Sequence, residues 1–143
     1  MNGEIVLDAS AAADWLLPGP RSAGVDAFVR PSARRIAPDL IFAEFASVAI
    51  KLVRRNQISR TIAHDAVRRL PRLIDEVAPL DTLAGSAYAL AERHAFSAYD
   101  AFYLALALKR DLALVTADAK LARSATEGGL ARHVRLVPPE SRP

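Results

Sequence analysis

The chain has 143 residues, the size of a single domain, and 52% of them are hydrophobic, which is enough to fill one core. It contains no cysteine, so disulfides and thiolate metal sites are excluded and a reducing compartment is expected. The net charge of +3 is only a weak indication of a polyanionic partner such as nucleic acid.

No apolar stretch reaches the roughly 18 to 20 residues that are needed to cross a bilayer. The richest run, residues 98–108, is shorter and carries Asp100. The first residues, MNGEIVLDAS, lack the basic stretch and long apolar run of a secretory signal. We therefore expect a single cytoplasmic domain over residues 1–143, with a frayed tail at about 138–143.

Short apolar runs alternate with longer helical patterns along the chain. In chain order, the patterns predict a strand over 4–7, helices over 9–17 and 23–30, a strand over 35–37, helices over 39–55 and 59–75, a strand over 76–80, helices over 82–94 and 98–109, a strand over 112–115, a helix over 118–126 that stops at Gly128–Gly129, and a strand over 134–137. The best strands are continuously apolar, as in sheets that are covered on both faces. This pattern predicts an open α/β sheet with helices on both sides.

Polar residues and one proline set the expected ends of these helices. Asp39, Ser59, Asp81 and Ser97 each precede a helical pattern and are predicted to cap it. Pro71 lies inside the helix predicted over 59–75, and it should kink or split that helix because proline has no backbone N–H.

Acidic residues follow two of the predicted strands. Asp8 comes directly after the first strand, and Thr116 and Asp118 come directly after the strand over 112–115. In open α/β sheets, sites form just beyond the carboxyl ends of the strands, so these side chains should meet at one edge. Each aspartate is also in a position to cap the helix that follows it, and this simpler interpretation stays open for both.

A third acid, Asp100, lies in the first turn of the helix AYDAFYLALAL, in which ten of the eleven residues are hydrophobic. A helix that is apolar all round is expected to be buried. A carboxylate in such a helix is costly unless it is paired or bound to a metal. Alternatively, Ser97 and Asp100 form a capping box, with Asp in place of the usual Glu.

The fourth acid, Glu44, lies on the helix predicted over 39–55. At 100° per residue it is only about 40° from Val48, the middle of the apolar stripe, and therefore on the inward edge of the helix. The alternative is an ion pair at the boundary of the core with Lys51 or Arg55.

Together, the four acids predict a metal centre. If they converge, their repulsion raises some of their pKa values sharply unless a cation neutralises them. An all-oxygen cluster suits Mg²⁺ or Mn²⁺ rather than zinc, and the three histidines of the chain show no ligand spacing. Mg²⁺ keeps several waters and binds substrate phosphate, which suits phosphodiester hydrolysis.

Four segments carry a resemblance to a known family. They are LDASAAADWL over 7–16, PDLIFAEFASV over 38–48, SAYDAFYLALA over 97–107 and LVTADAKL over 114–121. In order and spacing they resemble the four motifs of the PIN-domain nucleases and, within that family, of the VapC-type toxins of toxin–antitoxin systems. The stretch 59–77 matches no motif, so the resemblance does not extend to substrate specificity.

The resemblance implies a three-layer α/β/α sandwich with a mainly parallel central sheet. It implies that four acids ring one or two divalent ions, Mg²⁺ or Mn²⁺, while two hydroxyls orient water or the carboxylates; the acids are Asp8, Glu44, Asp100 and Asp118, and the hydroxyls are those of Ser10 and Thr116. The implied activity is in-line hydrolysis of RNA that leaves a 5′-phosphate and a 3′-hydroxyl. A cognate antitoxin that places a basic side chain in the acidic pocket is the implied partner, and a homodimer is the implied assembly.

Two further interpretations stay open. The chain is alternatively a catalytically silent module of the same fold that binds RNA or an antitoxin. The arginines of the two central helices form either an RNA groove or a solvated face; they are Arg54, Arg55, Arg60, Arg68, Arg69 and Arg72.

Overall fold

The computed structural model describes residues 3–31 and 34–138, so most of the tail expected to fray, residues 139–143, lies outside the described residues. Within the described part the chain forms five strands and seven α-helices. The strands are β1 (Glu4–Leu7), β2 (Arg34–Pro38), β3 (Glu76–Ala78), β4 (Ala113–Thr116) and β5 (Val134–Leu136). The helices are α1 (Ala9–Leu16), α2 (Ser22–Val29), α3 (Leu40–Arg54), α4 (Arg60–Leu73), α5 (Ala84–Arg93), α6 (Ala98–Arg110) and α7 (Ala119–Glu127).

The five strands form one parallel sheet in the order β3-β2-β1-β4-β5. The chain builds outward from β1 through β2 to β3, then returns to the other side of β1 to add β4 and β5. Helices α1 to α4 pack on one another and α5 packs on α6, as expected for one helical layer on each face of the sheet. The predicted three-layer α/β/α fold with a parallel sheet is confirmed.

The order of the strands reverses between β1 and β4, which lie side by side with Leu7 opposite Val115. The backbone N–H of Asp8 continues this pairing by donating to the carbonyl of Val115 at 3.2 Å. A crevice opens beyond the carboxyl ends of the strands at such a switch point. The fold therefore places a potential site next to Asp8.

Helix α6 is the apolar helix predicted to be buried, and it packs against β1, β2 and β4. Six of its residues are buried: Ala101, Tyr103, Leu104, Ala105, Leu106 and Ala107. Its first turn carries Asp100, so burial of this helix fixes the position of one of the four acids. No helix within residues 3–31 and 34–138 is both long enough and apolar enough to cross a membrane.

Two of the four predicted caps are confirmed. The hydroxyl of Ser59 accepts from the N–H of Ile62 at 3.1 Å, and that of Ser97 accepts from the N–H of Asp100 at 3.1 Å. Asp39 immediately precedes α3, but its exposed side chain makes no capping bond.

The prediction that Asp81 caps a helix starting at residue 82 is wrong. Asp81 lies in a short 3-10 turn, Leu80–Thr82, and α5 begins only at Ala84. The hydroxyl of Thr82 donates to the carbonyl of Pro79 at 2.7 Å. Such a local bond competes with the helix for the backbone, so residues 80–82 form a turn and α5 begins after it.

Pro71 does not split α4, which continues to Leu73. The proline lies in the last turn, so the hydrogen bond that it removes is one at the frayed end of the helix rather than one in its middle.

The amino ends of three strands are joined by ion pairs that the sequence did not indicate. Arg34 on β2 contacts Glu76 on β3 at 3.0 Å and Glu4 on β1 at 3.6 Å. Arg110, at the end of α6, also pairs with Glu76 and contacts Glu4 at 3.9 Å. These partly exposed pairs lie at the edge of the sheet opposite the crevice, so they support the fold without entering the site.

We expect Ser97→Ala to lower the free energy of unfolding by about 1 kcal/mol, because an N-cap bond of α6 is lost. Ser59→Ala, which removes the equivalent bond of α4, is the matched control and should cost about the same. Urea denaturation measures both. Equal stability of Ser97→Ala and the parent protein would mean that this cap does not hold the turn that carries Asp100.

Candidate active site

A pocket of about 300 Å³ lies at the carboxyl ends of β1 and β4, and all four predicted acids line it. Its lining consists of Asp8, Ala9, Ser10, Glu44, Ser47, Val48, Lys51, Asp100, Tyr103 and Asp118. Asp8 follows β1, Asp118 follows β4, Glu44 is on α3 and Asp100 begins α6. Residues that are far apart in sequence are thus brought together by the order of the strands and by the packing of α3 and α6 against the sheet.

Asp8 caps α1 and lines the pocket with the same carboxylate. One of its oxygens, Oδ1, accepts from the hydroxyl of Ser10 at 2.7 Å and from the N–H of Ala11 at 2.9 Å. Its side chain is almost completely buried, at 5% exposure. Capping was the simpler interpretation of Asp8, and the structure shows capping and a place in the pocket at once.

The hydroxyls of Ser10 and Thr116 tie the start of α1 to the end of β4 and the loop after it. Their oxygens are 3.1 Å apart. Ser10 Oγ accepts from the N–H of Ala117 at 3.0 Å, and Thr116 Oγ1 accepts from the N–H of Asp118 at 3.0 Å. Thr116 is fully buried and lies behind the pocket wall, so its contacts fix the loop that carries Asp118.

Asp118 also combines two tasks. Its Oδ1 accepts from the N–H groups of Lys120 and Leu121, at 3.0 and 3.1 Å, and so caps α7. A carboxylate held by the amino end of a helix is fixed in direction, and its charge is favoured by the helix dipole.

Asp100 lies at the electrostatic centre of the four acids. Its backbone N–H makes the bond to Ser97 that a capping box requires, which confirms that half of the alternative interpretation. The charge of Asp100 adds to the rise that burial causes in the pKa of Asp8 and of Glu44. The charge of Asp118 in turn adds to the rise in the pKa of Asp100. All four carboxylates therefore interact through one residue.

Glu44 is held by Tyr103, a residue that the sequence analysis missed. The Tyr103 hydroxyl, on a side chain that is 2% exposed, donates to Glu44 Oε1 at 2.6 Å. In the described part of the chain no ion pair joins Glu44 to Lys51 or Arg55, so the boundary ion pair is not formed. One feature of the sequence points to Tyr103: it is a tyrosine in a helix that is expected to be buried, and a buried phenol hydroxyl needs a hydrogen-bond partner.

Burial dominates the electrostatics of the pocket. It raises the pKa of Asp8 from an ordinary 3.8 to about 6, and the hydrogen bonds that the carboxylate accepts offset this rise only in part. Burial likewise raises the pKa of Glu44 and of Asp100. Three of the four carboxylates are thus destabilised in their ionised form, and a cation would relieve that cost.

The donor set fits a hydrated hard cation. The acidic donors of the pocket are carboxylate oxygens, and none of its lining residues is a histidine. Within the described ranges, no three acidic or histidine side chains are close enough to hold one ion by themselves. Mg²⁺ commonly binds through only one or two carboxylates and completes its shell with water and substrate phosphate. The residues present therefore fit Mg²⁺ better than an ion that needs a complete protein cage.

The six arginines in and directly after α3 and in α4, which form either an RNA groove or a solvated face, are exposed, and none lines the acidic pocket. One of them, Arg69, pairs with Asp65 on its own helix at 3.6 Å.

We expect Asp8→Asn to stabilise the metal-free protein at pH 7. The folded state holds the Asp8 proton up to about pH 6, whereas the unfolded chain releases it near pH 3.8, so stability falls as the pH rises between these values. A difference of about two pH units corresponds to at most about 3 kcal/mol. Urea denaturation in EDTA should show a gain of about 1 to 3 kcal/mol at pH 7 and none at pH 4. A loss of stability at pH 7 would contradict the buried-charge account.

Comparison with known proteins agrees with the fold. A sequence model of the PIN domain matches residues 5–127. Ribonuclease VapC1 of Mycobacterium tuberculosis is 34% identical over 134 residues, which covers 94% of this chain and 98% of that protein.

Two solved structures are similar in fold. The crystal structure of PAE2754 from Pyrobaculum aerophilum superposes with a TM-score of 0.64 at 24% identity, and covers 87% of this chain and 86% of its own. A toxin–antitoxin complex from Klebsiella pneumoniae contains a chain with a TM-score of 0.65 at 15% identity, which covers 94% of this chain and 98% of its own. At these identities the two structures bear on the fold alone. The matched domain and the mycobacterial relative, each aligned over most of the chain, show that this chain belongs to the PIN-domain family.

Proposed function

We propose that this protein is a divalent-metal-dependent endoribonuclease and the toxin of a toxin–antitoxin pair. The observation that carries the proposal is the convergence of four carboxylates from two strand ends and two helices in one pocket. Two findings on similar proteins support it: the mycobacterial relative is named a ribonuclease, and one structural neighbour is part of a toxin–antitoxin complex.

Asp8, Glu44, Asp100 and Asp118 are the proposed ligands, either directly or through water, of Mg²⁺ or alternatively Mn²⁺. Such an ion supplies Lewis-acid polarisation of a phosphoryl oxygen and activation of the attacking water. The raised pKa values of three of these acids support this assignment, because groups with perturbed pKa values that share a cleft are candidates for a functional site.

The remaining polar groups of the site would position these ligands. Ser10 donates to Asp8, and Thr116 holds the loop of Asp118. Tyr103 holds Glu44 from the buried side. Three of the four proposed ligands are thereby fixed before substrate arrives, and catalysis of phosphoryl transfer depends mainly on such preorganised positioning.

Regulation would use the same pocket. A pocket lined by four acids attracts a basic side chain, so a cognate antitoxin would inhibit by placing one there and excluding both the ion and RNA. The RNA substrate implies that the enzyme acts in the cytoplasm, and a homodimer is the proposed assembly.

Cleavage of total RNA, tRNA and synthetic oligomers in Mg²⁺, Mn²⁺ or EDTA tests the proposal. We expect metal-dependent cutting that Asp100→Asn reduces by more than the about 10- to 100-fold typical of losing a residue that only orients a ligand. Asp81→Asn, a change at an exposed acid away from the pocket, is the control and should cut like the parent protein. Full activity of Asp100→Asn would reject the site. Metal binding without cutting of any RNA would favour a catalytically silent binding module.

We expect Tyr103→Phe to weaken Mn²⁺ binding by about 10- to 100-fold, because Glu44 loses the hydrogen bond that orients it. Titration calorimetry of Mn²⁺ on the purified protein measures this directly. Tyr99→Phe removes a hydroxyl from a side chain of the same helix that is 60% exposed, and should leave the affinity unchanged. If both variants bind Mn²⁺ like the parent protein, Tyr103 does not position a ligand.

A further inference from the structure

The chain has only three lysines among its 19 lysine and arginine residues; one of them lines the acidic pocket, and another lies two residues after Asp118. Lys51 lines the pocket directly. Lys120 is the second residue of α7, and its backbone N–H is bound to Asp118, another lining residue. The third lysine, Lys109, is at the other end of α6, about 13 Å along the helix axis from Asp100 at 1.5 Å per residue.

Lys51 belongs to a continuous stripe on α3. Glu44, Ser47, Val48 and Lys51 all line the pocket, with the spacing i, i+3, i+4, i+7 of one helix face. Seven residues correspond to about 10 Å along the helix axis. Glu44 therefore marks the end of the stripe at the carboxylates, and Lys51 lies two turns further along the same wall.

The charges of both lysines are available to a ligand. In residues 3–31 and 34–138, no carboxylate oxygen lies within 4 Å of the ammonium group of Lys51 or Lys120, although both are close to the acidic pocket. Arginines elsewhere do pair with acids, for example Arg21 with Asp14 at 3.1 Å and Arg30 with Asp26 at 2.8 Å. Both lysine side chains are exposed, and the charge of Lys120 offsets a small part of the rise that burial and Asp118 cause in the pKa of Asp100.

A polyanion that enters this pocket meets four carboxylates, and repulsion between like charges opposes its approach. Lys51 on the α3 wall and Lys120 beside Asp118 each supply a cation that offsets that repulsion. Lysine suits this task, because its ammonium is a point charge on a flexible stem that adapts to a phosphate without reading a base.

We propose that Lys51 on α3 and Lys120 on α7 bind the backbone phosphates on either side of the RNA bond that is cut, and so set the path of the strand across the carboxylates. This inference rests on the proposed ribonuclease function for its substrate. The binding of phosphate can be measured without cleavage, so the two proposals can fail separately.

The test is fluorescence anisotropy of a labelled single-stranded 12-mer RNA in EDTA, with salt varied, on protein carrying Asp8→Asn so that no cleavage takes place. Each phosphate contact on a single strand contributes about 0.7 to the slope of log affinity against log salt. Lys51→Gln and Lys120→Gln should each lower the slope by about 0.7 and weaken binding about fivefold at 0.1 M salt. Their double variant should lower it by about 1.4. Lys51→Arg should retain the slope.

Lys109→Gln is the matched control, since it removes the same charge at a distance from the pocket, and its slope should equal that of the parent. The proposal is overturned if Lys51→Gln and Lys120→Gln keep the parent slope, or if Lys109→Gln loses as much as they do.

In the active protein, the two site variants should raise KM for RNA more than they lower kcat. If binding depends on the lysines but protein with the native Asp8 cuts no RNA, the ribonuclease proposal is rejected and the phosphate contacts are retained. If that protein cuts RNA equally well with and without both lysines, the phosphate contacts are rejected and the ribonuclease proposal is retained.

Discussion

The pairing of β1 with β4 places the ends of two non-consecutive strands side by side, and the pocket is built around that junction. Asp8 directly follows β1 at this junction, and Asp118 lies two residues after the end of β4. The hydroxyls of Ser10 and Thr116 join the two ends through side-chain and backbone bonds. Because the sheet is parallel, the helices that lead away from these ends begin at the same edge. Their caps and the pocket acids can therefore be the same side chains.

Because Asp8 and Asp118 each cap a helix and also line the pocket, the fold determines where the negative charges of the site lie. Asp8 accepts bonds from the amino end of α1, and Asp118 from that of α7, so the fold itself holds two negative charges in place. Asp100 adds a third charge from the buried helix α6, and Glu44 is fixed by Tyr103. Without a cation, burial of these charges costs stability, and the pKa of Asp8, raised mainly by burial, reflects that cost. Residues retained at such a cost are typical of functional sites.

The sequence predicted the architecture because the central strands β1 and β4 are short, mostly apolar and largely buried, a pattern that is local and easily recognised. It also predicted which acids would meet, since Asp8 and Asp118 follow strands and Asp100 stands alone in an apolar helix. Their catalytic roles stay a prediction. Asp39 and Asp81 show the limit of cap prediction: Asp39 precedes α3 but its side chain makes no capping hydrogen bond, and Asp81 lies in a turn before α5.

What the sequence could not show depends on contacts between distant segments. The bond from Tyr103 to Glu44 spans 59 residues, and no local pattern pairs them. The ion pairs of Arg34 and Arg110 with Glu76 likewise join separate elements. Such partners become visible only once the strand order brings their elements together.

Crystals grown or soaked with Mn²⁺, with data collected at the manganese absorption edge, show whether the four carboxylates form a metal centre. We expect an anomalous peak in the pocket, with at least one oxygen of Asp8, Glu44, Asp100 or Asp118 about 2.0 to 2.3 Å from the ion. A strong peak bound elsewhere, with the pocket empty at saturating Mn²⁺, would contradict the view that these four carboxylates form a metal centre.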